Sequence, residues 1–413
     1  MTSDGPGDSR LQLDQCTSVP DAQTAEGPAD IGELLSPPHR VHGIYVHVPF
    51  CRHRCHYCDF FTIAGREDSF GAFADRLIEE ISEVGERLTG EVSTVFVGGG
   101  TPTILPPDTI RRVMTAIRER LPLGMDCEWT VEANPETIDA ARAQALAESG
   151  VNRISLGAQS FNPDRLEALQ RQHDPESVPR SLDHFRRAGI DRLSLDLIFA
   201  IPGQTLAQWD EDLQAALDLG IQHLSAYSLV YEAGTPLTRR RDRGDVRPVS
   251  NELEADMFEH AISTLAAREF EHYEVSNWAM PHQQCRHNLV YWRNEDWWPI
   301  GPGAAGHVGG TRWKNLPRLA SYLEGNGLPP VTAVERLDED GRVGESFMMG
   351  LRLLEGMPRS RVEALLQHGD RGGVRSAAIE RWLESGHLEW LGDRLRFTAQ
   401  GLLVADSVNL DLL

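Results

Sequence analysis

The stretch Gly43-Ile44-Tyr45-Val46-His47-Val48-Pro49-Phe50-Cys51-Arg52-His53-Arg54-Cys55-His56-Tyr57-Cys58-Asp59-Phe60 decides the reading of this chain. Gly43 to Val48 has the apolar character of a buried strand, and Pro49 closes it. The loop behind it carries thiols at 51, 55 and 58. That spacing could line one face of a helix, with cysteine as a small core hydrophobe. Pro49 and the polar Arg52, His53, Arg54 and His56 argue against a helix. Three thiolates so close together can instead wrap a small metal cluster. Iron–sulfur clusters favour thiolates, and three cysteines on a four-iron cubane leave one iron open to a substrate or cofactor. Zinc, with His53 or His56 as fourth ligand, is the alternative.

Outward from this loop a strand-then-helix rhythm continues through Ser93–Val97, Trp129–Ala133 and Leu193–Ala200. Three segments repeat one another: Gly150-Val151-Asn152-Arg153-Ile154-Ser155-Leu156, Gly189-Ile190-Asp191-Arg192-Leu193-Ser194-Leu195 and Gly220-Ile221-Gln222-His223-Leu224-Ser225-Ala226. Each glycine can end a helix in the left-handed conformation before a strand begins. Helix starts are expected at Asn134-Pro135, at Asn162-Pro163 and at a Thr205/Gln208 capping box. Six units fit between Gly43 and about Val230. The expected fold is therefore α/β, a partial (β/α)6 barrel with its chemistry at the carboxyl ends of the strands. The expected division is a disordered leader over 1–41, the barrel over 42–272, a Trp/Gly-rich segment over 273–330 and a mostly helical, winged-helix-like domain over 331–413.

Composition narrows the function. The 413 residues carry a net charge of −22, which repels nucleic acid and anionic membrane surfaces. No apolar run is long enough for a membrane span, and the N-terminal residues lack the character of a signal peptide. A cytoplasmic protein is expected. Six cysteines, half of them in one loop, suit metal rather than a disulfide framework.

The CxxxCxxC pattern after a first strand resembles the radical S-adenosylmethionine (SAM) superfamily. The surrounding Tyr-x-His-x-Pro-Phe-Cys is similar to the group that contains oxygen-independent coproporphyrinogen III oxidases and HemW-type heme chaperones. This resemblance, which covers Gly43 onward, implies a [4Fe-4S] cluster on Cys51, Cys55 and Cys58. It implies SAM contacts at Tyr45, Tyr57, Gly99, Gly100, Thr101, Glu132, Gln159, Arg171 and Asp196, with Val230 a further position. Bare glycine backbone at 98–100 would offer N–H groups to the cofactor, carboxylates suit its ribose and amine, and Arg171 suits its carboxylate. Electron transfer from the cluster into the sulfonium would then release a 5′-deoxyadenosyl radical.

Two features divide the group. The oxidases carry a fourth cysteine two residues after the third, where this chain has Phe60. The segment Cys285-Arg286-His287-Asn288-Leu289-Val290-Tyr291-Trp292 contains the HNxxYW pattern of the chaperone branch. Its His287, Asn288, Tyr291 and Trp292 become candidate heme contacts, with Cys285 and His307 as competing ligands. Gly301 to His307 reads as a tight loop near the cofactor or heme. The expectation is a chaperone that binds heme, the cluster and SAM and passes heme to an acceptor protein, as monomer or dimer. The alternative is an oxidase that decarboxylates coproporphyrinogen III, and a third reading is a structural zinc module.

Overall fold

A computed structural model of the chain describes residues 31–413, so the expected leader lies largely outside the described residues. Residues 31–41 belong to the folded body: Ile31–Leu34 forms a helical turn, and Ile31 and Val41 are buried. The leader boundary at 41 is thus corrected for this part, because two apolar side chains anchor it.

The core is a twelve-stranded sheet. Six parallel strands follow the expected rhythm: β1 Gly43–Val48, β2 Val92–Gly99, β3 Leu123–Ala133, β4 Arg153–Gln159, β5 Arg192–Phe199 and β6 His223–Ser228. They pair in that order, with Val46 opposite Val97, Val97 opposite Val131 and Ile154 opposite Leu193. Ile44, Val46, Val95, Val131 and Leu195 are fully buried, as strands covered on both faces require. Helices α1 Phe70–Arg87, α2 Pro107–Arg120, α3 Ala140–Ser149, α4 Ser177–Ala188 and α5 Leu206–Asp218 supply the cover. Their buried residues recur with the helical period, as at Phe73, Leu77, Ile81 and Val84 of α1.

The local signals hold in part. Gly150 and Gly189 end their helices at φ 102° and 91°. Asn162 caps the helix Pro163–Ala168, and Thr205 with Gln208 forms the capping box. Asn134 caps nothing: a short 3-10 turn, Pro135–Thr137, follows it, and Asp139 caps α3 instead. Its side chain is occupied by Arg171 and Glu136.

The sheet continues where the sequence reading stopped. After helices α6 Pro236–Asp242 and α7 Asn251–Ala266 come β7 Glu271–Glu274 and β8 Asn277–Ala279; β8 pairs antiparallel with β6, and β7 pairs antiparallel with β8. Helix α8 Arg286–Trp292 leads into β9 Trp297–Ile300, which lies parallel to β1 on its other edge. β10 Ala305–Val308, β11 Thr311–Asn315 and β12 Val331–Arg336 extend that edge antiparallel. The expected division at 272/273 falls inside β7, and that at 330/331 falls at the start of β12. β9 is buried throughout although it contains Pro299, and Gly306 makes room for that ring: a Cβ there would sit 2.3 Å from Pro299 Cδ.

The C-terminal region packs helices Glu339–Leu351, Arg359–Leu366, Gly372–Glu384 and Ala405–Leu412 on a three-stranded antiparallel sheet. Fully buried Arg375 holds it together through Asp340 and the backbone carbonyls of Leu412 and Leu413. No helix among the described residues is long and apolar enough to cross a membrane.

Candidate functional site

At the carboxyl ends of β1–β6 opens a cavity of ≈ 390 Å³. The cysteine loop forms its lip. Phe50–Cys51 pairs with Ile63–Ala64, which pins the two ends of the loop together. The end of β2 pins its base: Gly100 N–H donates to Val48 O at 2.8 Å and Thr101 N–H to Phe50 O at 2.7 Å. A Cβ on Gly100 would lie 2.6 Å from Phe50 O, so only glycine lets these backbones meet. Gly99 N–H donates to Glu132 Oε2 at 3.0 Å. The N–H groups expected to serve a ligand are therefore spent on the loop and on Glu132. The triplet is a mounting for the cysteines as well as a wall of the cavity.

Cys51, Cys55 and Cys58 all line the cavity, and the five described cysteines are free thiols. Thr101 Oγ1 donates to Cys51 Sγ at 3.6 Å, and Arg171 Nη1 to Cys55 Sγ at 3.8 Å. Burial pushes the Cys58 thiol up to about 11. Burial acts on Cys55 as well, but His53 and Arg171 together outweigh it and pull that thiol below its ordinary value. Among the described residues no three His, Cys, Asp or Glu side chains converge as one metal ion requires. A four-iron cluster asks for something else, since each thiolate takes its own iron. Three thiols around one lip, with a guanidinium beside them, fit that group.

Gly99, Gly100, Thr101, Glu132, Gln159, Arg171, Asp196, Tyr57 and Val230 line the same cavity. Arg171 is held by Asn134 Oδ1 at 3.0 Å and Gly157 O at 2.8 Å, while its buried Nε has no partner. Burial and the neighbouring Asp196 raise Glu132 to about 8. Burial also raises Asp196, which accepts from Ser155 Oγ at 3.0 Å. Glu132 and Asp196 both line the cavity, and a pair of carboxyl groups there suits a cationic ligand. Tyr45 stands apart: its hydroxyl meets His47 Nδ1 at 3.1 Å, and His47 Nε2 reaches Phe61 O at 2.9 Å, so it braces the loop from behind.

The HNxxYW segment is placed differently. Of His287, Asn288, Tyr291 and Trp292, only Asn288 lines the cavity. His287 is 1% exposed, with Nδ1 at 2.8 Å from Thr94 Oγ1 and Nε2 at 2.8 Å from Tyr291 Oη. Its backbone N–H donates to buried Glu128 at 3.1 Å. Both ring nitrogens are engaged, and burial lowers the ring to about 3. The His287 ring thus bonds within the fold and does not line the cavity. Trp292 lies under the Arg352 guanidinium, 4.3 Å from the ring centre, against the C-terminal region. His307 sits on β10 opposite Trp297 with Nδ1 directed to Glu295 O, and Gly301 to His307 packs on β1 and α1 rather than on the cavity. Cys285 does reach the cavity floor; its thiol donates to Glu128 at 3.6 Å and burial raises it to about 12.

The sequence reading missed Arg153 and His223, both buried and lining the floor. His223 bridges Ser194 Oγ and Tyr273 Oη at 2.8 Å each. A signal existed: Arg153, Arg192 and His223 occupy the same place in the three repeats and lie on adjacent strands.

Residues 45–216 match the family described as the radical SAM superfamily. Heme chaperone HemW of Lactococcus lactis is 37% identical over 313 residues, 76% of this chain and 82% of that protein. Heme chaperone HemW of Mycobacterium tuberculosis is 35% identical over 390 residues, 93% of this chain and 97% of that protein. The solved structure of the Escherichia coli coproporphyrinogen III oxidase HemN, a radical SAM enzyme, superposes with a TM-score of 0.77 over 91% of this chain and 90% of that one. At 23% identity that likeness shows the fold.

Proposed function

We propose a function from the premise that the chain belongs to the HemW family of the radical SAM superfamily: it is a cytoplasmic heme chaperone that binds heme and delivers it to an acceptor protein. The observation that carries this reading is the match to a HemW heme chaperone over nearly the whole of both chains. Phe60 supports it, since it stands where the oxidases resembled above have a further cysteine.

Cys51, Cys55 and Cys58 would hold a [4Fe-4S] cluster, and the carboxylate pair Glu132 and Asp196 with Arg171 would hold SAM beside it. When bound, the cluster supplies an electron and an open iron for the methionine end of SAM. The chain's own residues orient and shield. Arg171 offers an unpaired Nε to a carboxylate, and Glu132 offers a carboxyl that loses its proton when an amine arrives. Tyr45 and His47 keep the loop in register from behind. In the HNxxYW segment His287 and Tyr291 fix α8, so that Asn288 is the residue that faces a ligand.

Anaerobic reconstitution followed by hemin titration, with coproporphyrinogen III assayed in the same sample, tests the proposal. Saturable growth of the Soret band without turnover supports it. Turnover without stable hemin binding contradicts it and makes the chain an oxidase.

A further inference from the structure

Few large apolar side chains are exposed among the described residues, and two of them line the cavity: Phe60, 59% exposed, and Tyr227, 39% exposed. Phe60 stands on the cysteine loop and Tyr227 on the end of β6. Around them the charge of the chain reverses. Residues 51–61 and 231–247 hold seven arginines against four carboxylates, in a chain of net −22. Arg52 and Arg54 line the cavity with them. Helix α6 sets Arg239 and Arg240 beside the cysteine loop, outside the cavity lining, because Leu237 N–H donates to His56 O at 2.9 Å and ties the helix to that loop.

The neighbours of these arginines are neutralised, and they are not. Arg241 pairs with Asp242 and stacks on Tyr231, and Arg243 pairs with Asp245. Among the described residues no ion pair engages Arg52, Arg54, Arg239 or Arg240; Arg54 bonds only Cys58 O and Arg239 only Gly234 O. Exposed aromatic faces beside unpaired guanidinium groups match a flat apolar ligand that carries carboxylates at its edge.

Resting on the heme-binding reading above, we infer that this rim is the heme dock: Phe60 and Tyr227 take the macrocycle, and Arg239 and Arg240, with Arg52, take its propionates. An acidic chain repels a dianionic porphyrin elsewhere on its surface and draws it to this mouth.

The test compares hemin with its dimethyl ester on the cluster-reconstituted chain. Hemin affinity should fall about ten-fold in Arg239→Gln/Arg240→Gln, the cost of two charge-assisted contacts. The ester should bind the parent about as weakly as hemin binds the variant, and the variant should not discriminate between them. Arg187→Gln, which removes an exposed charge on α4, should leave hemin affinity unchanged. Hemin bound equally by parent and double variant, or ester and acid bound equally by the parent, overturns the dock and leaves the chaperone reading intact. No hemin binding by the parent overturns both.

Discussion

The cysteine loop and the HNxxYW helix both carry dense polar chemistry, yet they are finished to different degrees. His287 is fully partnered, since Thr94, Tyr291 and Glu128 take both ring nitrogens and the backbone N–H, although Trp292 Nε1 further along the helix is buried without a partner. At the cysteine loop, three thiols face a cavity, Arg171 Nε is buried without a partner, and rim arginines lack carboxylates. Buried polar groups are ordinarily satisfied. A closed network therefore marks a part that holds the fold, and an open one marks a part that awaits a ligand. Residue type alone does not distinguish them.

The strongest test of that contrast is Cys55→Ser. A neutral hydroxyl is a poor substitute for an iron thiolate, so iron and sulfide per chain should drop to background after reconstitution, while far-ultraviolet circular dichroism stays that of the parent. A retained cluster spectrum would remove the loop from the open class.

His287→Ala tests the other side. Truncation strands the Thr94 and Tyr291 hydroxyls and leaves a void, for a loss of about 2–3 kcal/mol in denaturant unfolding. Hemin affinity of the folded variant should match the parent. A stable variant with lost hemin binding would reverse the assignment of the two regions.

Glu132 sharpens the comparison through pH. A carboxyl with an ordinary value of 4.5 and a folded value of about 8 favours the native state while it is protonated. Its contribution is complete below 4.5 and disappears as pH rises through about 8. Glu132→Gln should flatten the fall in thermal stability of the cluster-free chain between pH 5 and 8. An unchanged slope would show that another group sets it.

The smallest effect belongs to a position outside both regions. Asn162→Ala removes a helix cap and should cost about 1 kcal/mol, with cluster and hemin binding unaltered.

Much of the barrel was legible because its signals are local. The Gly150, Gly189 and Gly220 repeats, the Asn162 cap and the Thr205 box each act within a few residues, and the cysteines announce themselves by spacing. The C-terminal helices were legible too, but the strands between 271 and 336 were not. β9 pairs with β1 from more than two hundred residues away, is buried on both faces so that no alternation appears, and contains a proline. Arg153 hid inside a repeat that was read for its glycines. His287 was readable as a motif but not as an environment, since Thr94 and Glu128 come from distant strands.

Amide hydrogen exchange of the reconstituted chain, with and without hemin, tests the central contrast most directly. The account predicts new protection at residues 52–60 and 236–243, with 286–292 already slow and unchanged. Protection confined to 286–292, with the rim unaffected, would contradict it.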